Sequence, residues 1–361
     1  FSGKQNRELI LYFTKNNPFE TFNVTDDRVI ITDIFKKNDK KSTNLDKVKR
    51  IDAFVTGIFN YKGEKKYVVP ALIYNKNPFF GLNDLPKFLA PFNNSFLDEI
   101  SFLKSYLHFY LSNNLSIDLR KDHWIVGGLQ TYIMIKYIET YYPKEKYLGR
   151  VGRFKLLKAY TLVEIDFNES FWMYYEFMER ANLHQSDFLP KDKLVKFNEK
   201  IGSPYHVGIG LRYIEHYIGK QVIDKVFKQY LNQSEKKLTF LSLMKKYSPK
   251  DIDWFEKFYL KERLPIDISI KNLNKNKDSI RVRLSKYYDD KIPFELSQVK
   301  NDSIIDQVWI ENMGTNLSFT LKNLKPDYVV INPKIRLPES NKSNNWRYTK
   351  NFLNLKPIQF N

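Results

Sequence analysis

The stretch Asp122-His123-Trp124-Ile125-Val126-Gly127-Gly128-Leu129-Gln130-Thr131-Tyr132, running on to Tyr142-Pro143, decides how the rest of the chain is read. An aspartate before the apolar run and a proline after it bracket a helix, because the Asp side chain suits the N-cap and Pro cannot continue the ladder. The apolar run stops at Lys136, short of the roughly 20 residues that a membrane span requires. Each glycine inside a helix costs about 1 kcal/mol relative to alanine, so Gly127 and Gly128 need a reason. Close packing against a second helix is one reason, and a place in a functional motif is another.

Helical patterns extend outward on both sides. Ser95 with Asp98 has the spacing of a capping box, and Phe96, Ile100, Leu103, Leu107 and Tyr110 keep a period near 3.6 over 95–112. Further helices are expected at 44–59, 151–163, 168–182, 190–200, 205–218 with Gly219 as the C′ residue, 220–232, 237–247 and 251–260. Strands are expected at 7–13, 28–32 and 65–74, where Pro70 implies an edge or bent strand. From Leu264 the period becomes two, with strands at 266–270, 280–284, 308–310, 317–321 and 328–331, the spacing of a small β-sandwich. The fold class is therefore α+β: a mainly helical domain with a small sheet, followed by a β-sandwich. The expected divisions are 1–42, the end of an N-terminal β-domain; 43–262, the helical domain; 263–345, the sandwich; and 346–361, a tail.

Composition sets outer bounds. With 42% apolar and 16% aromatic residues over 361 positions, the chain can bury sizeable cores. Having no Cys, it has no disulfide, thiolate metal site or cysteine nucleophile. A formal charge of +18 attracts acidic partners, but Lys is scattered among Asp and Glu, and no zinc finger, RNP motif or phosphate loop is present, so no nucleic-acid partner is expected. The opening FSGKQNRELILYF has no Met and no leader pattern, and residues preceding Phe1 are expected.

The quoted helix resembles the W-L-N-E-G-F-A-x-Y helix of the gluzincin aminopeptidases, the M1 metallopeptidase family. In that family the motif's Glu is the third zinc ligand, 19 residues after the second His of an H-E-x-x-H helix. Counting back 19 from Gly127 lands on His108, which makes Lys104-Ser105-Tyr106-Leu107-His108 the equivalent window. Gly202-Ser203-Pro204-Tyr205-His206-Val207-Gly208 is similar to the family's P-Y-x-K-G segment, whose Tyr steadies the oxyanion. Asp253-Trp254-Phe255-Glu256-Lys257-Phe258-Tyr259 resembles the end of its catalytic domain, which a β-sandwich often follows. The resemblance covers roughly 43 to 340 and implies a thermolysin-like domain, a zinc cofactor and aminopeptidase activity.

The ligand set implied by the resemblance is mostly absent. Lys104 stands for the first His, Ser105 for the general base and Gly127 for the Glu ligand, while His108 and Tyr205 are retained. One imidazole does not hold zinc at useful affinity, and a serine hydroxyl is no base for water. The family's G-x-M-E-N loop falls near Gly81-Leu82-Asn83-Asp84, without the Glu that binds a free amine. Lys104 and His108 lie about 40° and 80° from Ile100 around the helix, so the Lys104 ammonium could occupy the vacant cation position or snorkel to solvent. Among other histidines, His123, His184 and His216 have structural readings, a His108–His206–His216 metal site is disfavoured by spacing, and Ser203 with His206 or His108 lacks a nucleophile elbow.

These departures make the expected protein a degenerate M1-like pseudopeptidase of Bacteroidota type, with no catalytic residues and no bound metal or other cofactor. It is expected to act as an interaction or scaffold subunit of a multi-subunit cell-envelope complex, at the periplasm or outer-membrane surface, with a protein partner. An active zinc aminopeptidase with atypical ligands and a non-hydrolytic peptide-binding module remain as alternatives.

Overall fold

Alternating burial along Arg28–Thr32 places Arg28, Ile30 and Thr32 inward, and this strand, β2, organises a small sheet in the computed structural model. The structure describes residues 17–35, 41–71, 92, 94–115, 117–147, 149, 165–232, 238–335 and 337–349. Strand β1 (Glu20–Thr25) pairs with β2 antiparallel, and β3 (Lys66–Val69) pairs with β2 in parallel after helix α1 (Lys41–Phe59) crosses over. Pro70 follows the last residue of β3, an edge strand, as its missing N–H requires. β2 and β3 share one ladder, so strand pairing crosses the expected 42/43 boundary. The strand expected at 7–13, the loop near Gly81 and the helix expected at 151–163 lie outside the described residues.

Two helices carry the motif. Helix α2 (Asn94–Asn114) buries the expected stripe Phe96, Ile100, Leu103, Leu107 and Tyr110. It starts before Ser95, so Ser95 sits within the helix rather than at its cap. Helix α3 (His123–Tyr141) buries residues around most of its circumference, and Asp122 precedes it without a side-chain capping bond. Helices α4 (Glu169–Arg180), α5 (Ser203–Ile218), α6 (Lys220–Asn232) and α7 (Phe240–Tyr247) complete the described α-helices. Gly219 ends α5 at φ +96°, a left-handed value that glycine adopts without strain. Residues 190–200 are not the helix that their pattern suggests: a 3₁₀ turn at Lys191–Lys193 and a π turn at Asn198–Gly202 lead into α5. A second π segment, Phe255–Glu262, replaces the helix expected at 251–260.

The remainder forms two sheets. One has the order β4 (Ile268–Lys275), β5 (Ser279–Lys286), β8 (Asn316–Lys322). The other runs β10 (Trp346–Tyr348), β9 (Tyr328–Ile331), β6 (Phe294–Lys300), β7 (Ser303–Ile310). β10 joins the sheet by pairing with β9, so residues 346–348 belong to it rather than to a tail. The sheets pack on the helical unit through Tyr213, whose hydroxyl lies 2.8 Å from the Pro293 carbonyl and 3.0 Å from Asn332 Oδ1, and through His216 Nε2, 2.9 Å from Glu295 Oε1. Trp309 on β7 meets the Tyr217 ring at 4.8 Å. The chain is thus α+β, mixed helices and small sheets, and one apolar core runs through both parts.

Candidate functional site

Helices α3 and α5 cross with almost no space between their backbones. A Cβ on Gly127 would lie 2.8 Å from Pro204 Cγ, and one on Gly128 would lie 2.1 Å from Val207 Cγ1. Gly208 presents the reciprocal contact, with Thr131 Cβ at 2.5 Å from its added Cβ. Of the two reasons for the glycine pair, close packing is the one seen here, with the Pro204 ring against Gly127.

The other motif residues assemble around this crossing. Gln130 on α3 donates from Nε2 to the Lys104 carbonyl at 2.5 Å, joining α2 to α3 at the helix turn that carries Lys104. Lys200 on the π turn, four residues before Pro204, is within electrostatic reach of the Lys104 ammonium. Lys104, Gly127 and the start of α5 therefore meet in one region. Lys104 itself is half-buried. Burial, with a smaller contribution from Lys200, pushes its ammonium down to about 8. No ion pair or side-chain hydrogen bond to Lys104 is present among the described residues.

Ser105 is fully buried and so is closed to a water nucleophile. His108, one turn after Lys104, is half-buried with its ring against Phe109. Tyr205 packs edge-on against Phe171 at 4.8 Å and near Tyr174 at 6.0 Å, and burial raises its hydroxyl well above 10, so it stays protonated.

A second polar cluster lies beneath α5, and it was not legible in the sequence. Asp187 accepts a hydrogen bond from His206 Nδ1 at 2.6 Å and lies 3.6 Å from Arg263 Nη1. His206 is stacked between Tyr259 at 4.0 Å and Tyr175 at 4.7 Å. The Tyr175 hydroxyl accepts from Arg263 Nη2 at 2.5 Å and donates to Glu179 at 2.8 Å. Despite burial, Arg263 and His206 hold Asp187 below the usual carboxylate range. Burial, then the Arg263 charge, lower His206 to about 4, outweighing the Asp187 carboxylate. Because Arg263 already neutralises the carboxylate, the imidazole remains uncharged near neutral pH. Ser203 and His206 share no hydrogen bond, and all three side chains are enclosed, so no serine–histidine–carboxylate relay is formed. Nothing in the spacing of Asp187, His206 and Arg263 announces their meeting; only the left-handed turn at Arg263, φ +50°, aims that side chain back under α5.

A gluzincin zinc needs two imidazoles and a carboxylate converging on one point. The residues here do not fit it, since Lys104 supplies a cation, Gly127 no side chain, and His206 and His216 are committed to Asp187 and Glu295. Among the described residues, no three His, Asp or Glu side chains converge to hold an ion. No described helix is long and apolar enough to cross a membrane.

No family model and no curated protein matches the sequence. Among solved structures the chain is similar to aminopeptidase A of Legionella pneumophila, determined in complex with aspartic acid, with a TM-score of 0.56 and 11% identity. The match covers 87% of this chain and 36% of that one, so this chain spans about a third of its neighbour's length. The likeness shows an aminopeptidase-like fold.

Proposed function

We propose that this chain is a catalytically inactive relative of the M1 aminopeptidases that serves as an interaction subunit, holding a protein partner in a bacterial cell-envelope complex of Bacteroidota type. The observation that carries the reading is Lys104, a half-buried lysine at the position that the resemblance gives to the first zinc-ligating histidine. A cation there repels a metal ion, and it would have to lose its proton before it could donate an electron pair. Support also comes from Pro204 packed on Gly127, where a ligating carboxylate would need to stand. Ser105, in the place of the general base, is enclosed and has no carboxylate to accept a proton.

Metal analysis of the purified protein, together with assays on amino-acid p-nitroanilides, tests this proposal. Substoichiometric zinc with no hydrolysis above buffer is the expected outcome. Stoichiometric zinc with turnover would replace it by the reading of an active peptidase with atypical ligands. Fractionation of source cells checks the envelope location, and recovery in the cytoplasmic fraction alone would overturn that part.

A further inference from the structure

Residues 339–345 form a strap across the junction between the helical unit and the sandwich, and an enclosed carboxyl pins its first residue. On one side, Arg180 Nε of α4 donates to the Ser340 carbonyl at 3.1 Å, and Lys342 pairs with Glu176 of α4. On the other, Ser340 N donates to the Ile266 carbonyl at 2.9 Å and Asn344 Nδ2 to Asp267 Oδ1 at 2.8 Å, just ahead of β4. Ile331 N at the end of β9 donates to the Asn345 carbonyl at 3.1 Å. β10 follows at once and forms the edge of its sheet, so what holds the strap also holds that edge.

Glu339 is 0% exposed. Its Oε2 accepts from Ile268 N at 3.1 Å and its Oε1 from Asn345 Nδ2 at 2.9 Å. Both donors are neutral. A carboxyl enclosed among neutral amides favours its uncharged form, because ionisation there forfeits the hydration that an anion has in water. Asp267 repels an anion at this place, whereas Lys342 on the strap favours one. Lys286 of β5 and Tyr213 of α5 are also within electrostatic reach, but the Lys286 ammonium is bonded to Asp290 at 2.6 Å. Burial outweighs the two donors and pushes the carboxyl up to about 8.

A neutral carboxyl carries a proton that needs an acceptor, and neither Ile268 N nor Asn345 Nδ2 is one. Asn345 Oδ1 is buried and, among the described residues, accepts no hydrogen bond. A half-turn of that amide exchanges Nδ2 for Oδ1 opposite Glu339 Oε1, so the same pair serves the protonated carboxyl as acceptor and the anion as donor.

We propose that Glu339 is a proton-operated latch: protonated, it seats residues 339–345 and with them β10 across the junction; ionised, it leaves its enclosure and frees the strap from α4 and β4. An unfolded glutamate titrates near 4.3, so the folded chain is the tighter proton binder. Stability therefore falls as pH rises between the two values, and the anion builds up inside the fold only above about pH 8. Release at alkaline pH uncovers the β9 edge while the helices stay folded.

Limited trypsin digestion of the full chain at pH 6.5, 8 and 9.5, followed by mass spectrometry, reads the strap through cleavage after Lys342 and Arg347. Cleavage after Lys121, on an exposed turn outside the strap, corrects for the protease's own pH dependence. In the wild type the ratio of strap to Lys121 cleavage is expected to rise about tenfold from pH 6.5 to 9.5, and to fall back when the protein is returned to pH 6.5 before digestion. In Glu339→Gln, which is neutral at every pH, the ratio should change by less than about twofold. If that variant does not fold, the reversible rise in the wild type still decides. A flat ratio in the wild type, a rise of equal size in Glu339→Gln, or cleavage that spreads through the helices at pH 9.5 would overturn the proposal.

Discussion

Two clusters of buried charge lie on either side of the first turns of α5 and are built on opposite terms. Beneath the helix, Asp187, His206, Arg263, Tyr175 and Glu179 are joined to one another through short contacts and stacked rings. Beside it, Lys104 is half-buried and, among the described residues, has no carboxylate partner. The first cluster stabilises the fold through its internal partners. The second costs stability, because burial disfavours its ammonium.

The largest effect should come from breaking the closed cluster. Asp187→Ala leaves Arg263 enclosed without its carboxylate, and urea denaturation is expected to show a loss of about 3–5 kcal/mol. A loss below 1 kcal/mol would mean that the cluster is less tightly enclosed than its geometry indicates. Next in size is the crossing that the clusters share. Gly128→Ala pushes a Cβ into Val207 and should cost about 1–3 kcal/mol through overpacking. Since Val207 is fully buried in the same crossing, Gly128→Ala with Val207→Ala should recover part of the loss, and simple additivity would argue against that contact.

Lys104 sharpens the contrast through pH. Its folded value near 8 lies below its unfolded value of about 10.4, so the unfolded chain holds the proton more firmly. The penalty is fully present below pH 8 and fades as pH rises from 8 toward 10. Wild-type stability relative to Lys104→Met should therefore improve across that window, with the variant more stable by about 1 kcal/mol at pH 7. Parallel pH profiles for the two proteins would show that Lys104 is ordinarily hydrated. The smallest effect should come from metal: zinc chloride or EDTA is expected to move the thermal midpoint by less than about 1 °C, because ligand binding raises stability only where a folded site exists. A rise of several degrees with zinc would break the distinction between the two clusters by giving the open one a metal partner.

How much of this was readable beforehand depends on what each residue reports. The stripes on α2 and the length of α3 follow from hydropathy, since burial repeats with the helix period. Strand β6 did not show itself, because Glu295, Ser297 and Gln298 are all buried, Glu295 and Gln298 against partners on β7, which interrupts the apolar alternation in FELSQVK. Strand β1, ETFNVT, is mostly exposed and hides in its polar residues. The π turns at Asn198–Gly202 and Phe255–Glu262 keep a helix-like pattern while changing the register, so their sequence looks like ordinary helix. Lys104 and the start of α5 each meet α3, through the Gln130 bond to the Lys104 carbonyl and the packing of Pro204 on Gly127. The motif's spacing did not tell that Pro204 fills the space at Gly127, because that depends on how α3 and α5 cross.

Arg263 stands one residue past the expected end of the helical domain, yet its side chain is enclosed under α5 and bonded to the loop carbonyl of Gln185. That residue acts as a splice constraint. A fusion or truncation joined at 262/263 would strand Asp187, whereas one joined after Pro265 keeps the arginine with its carboxylate. Exchange of the sandwich between relatives, in the laboratory or in evolution, has to carry those few residues with the helices to preserve the fold.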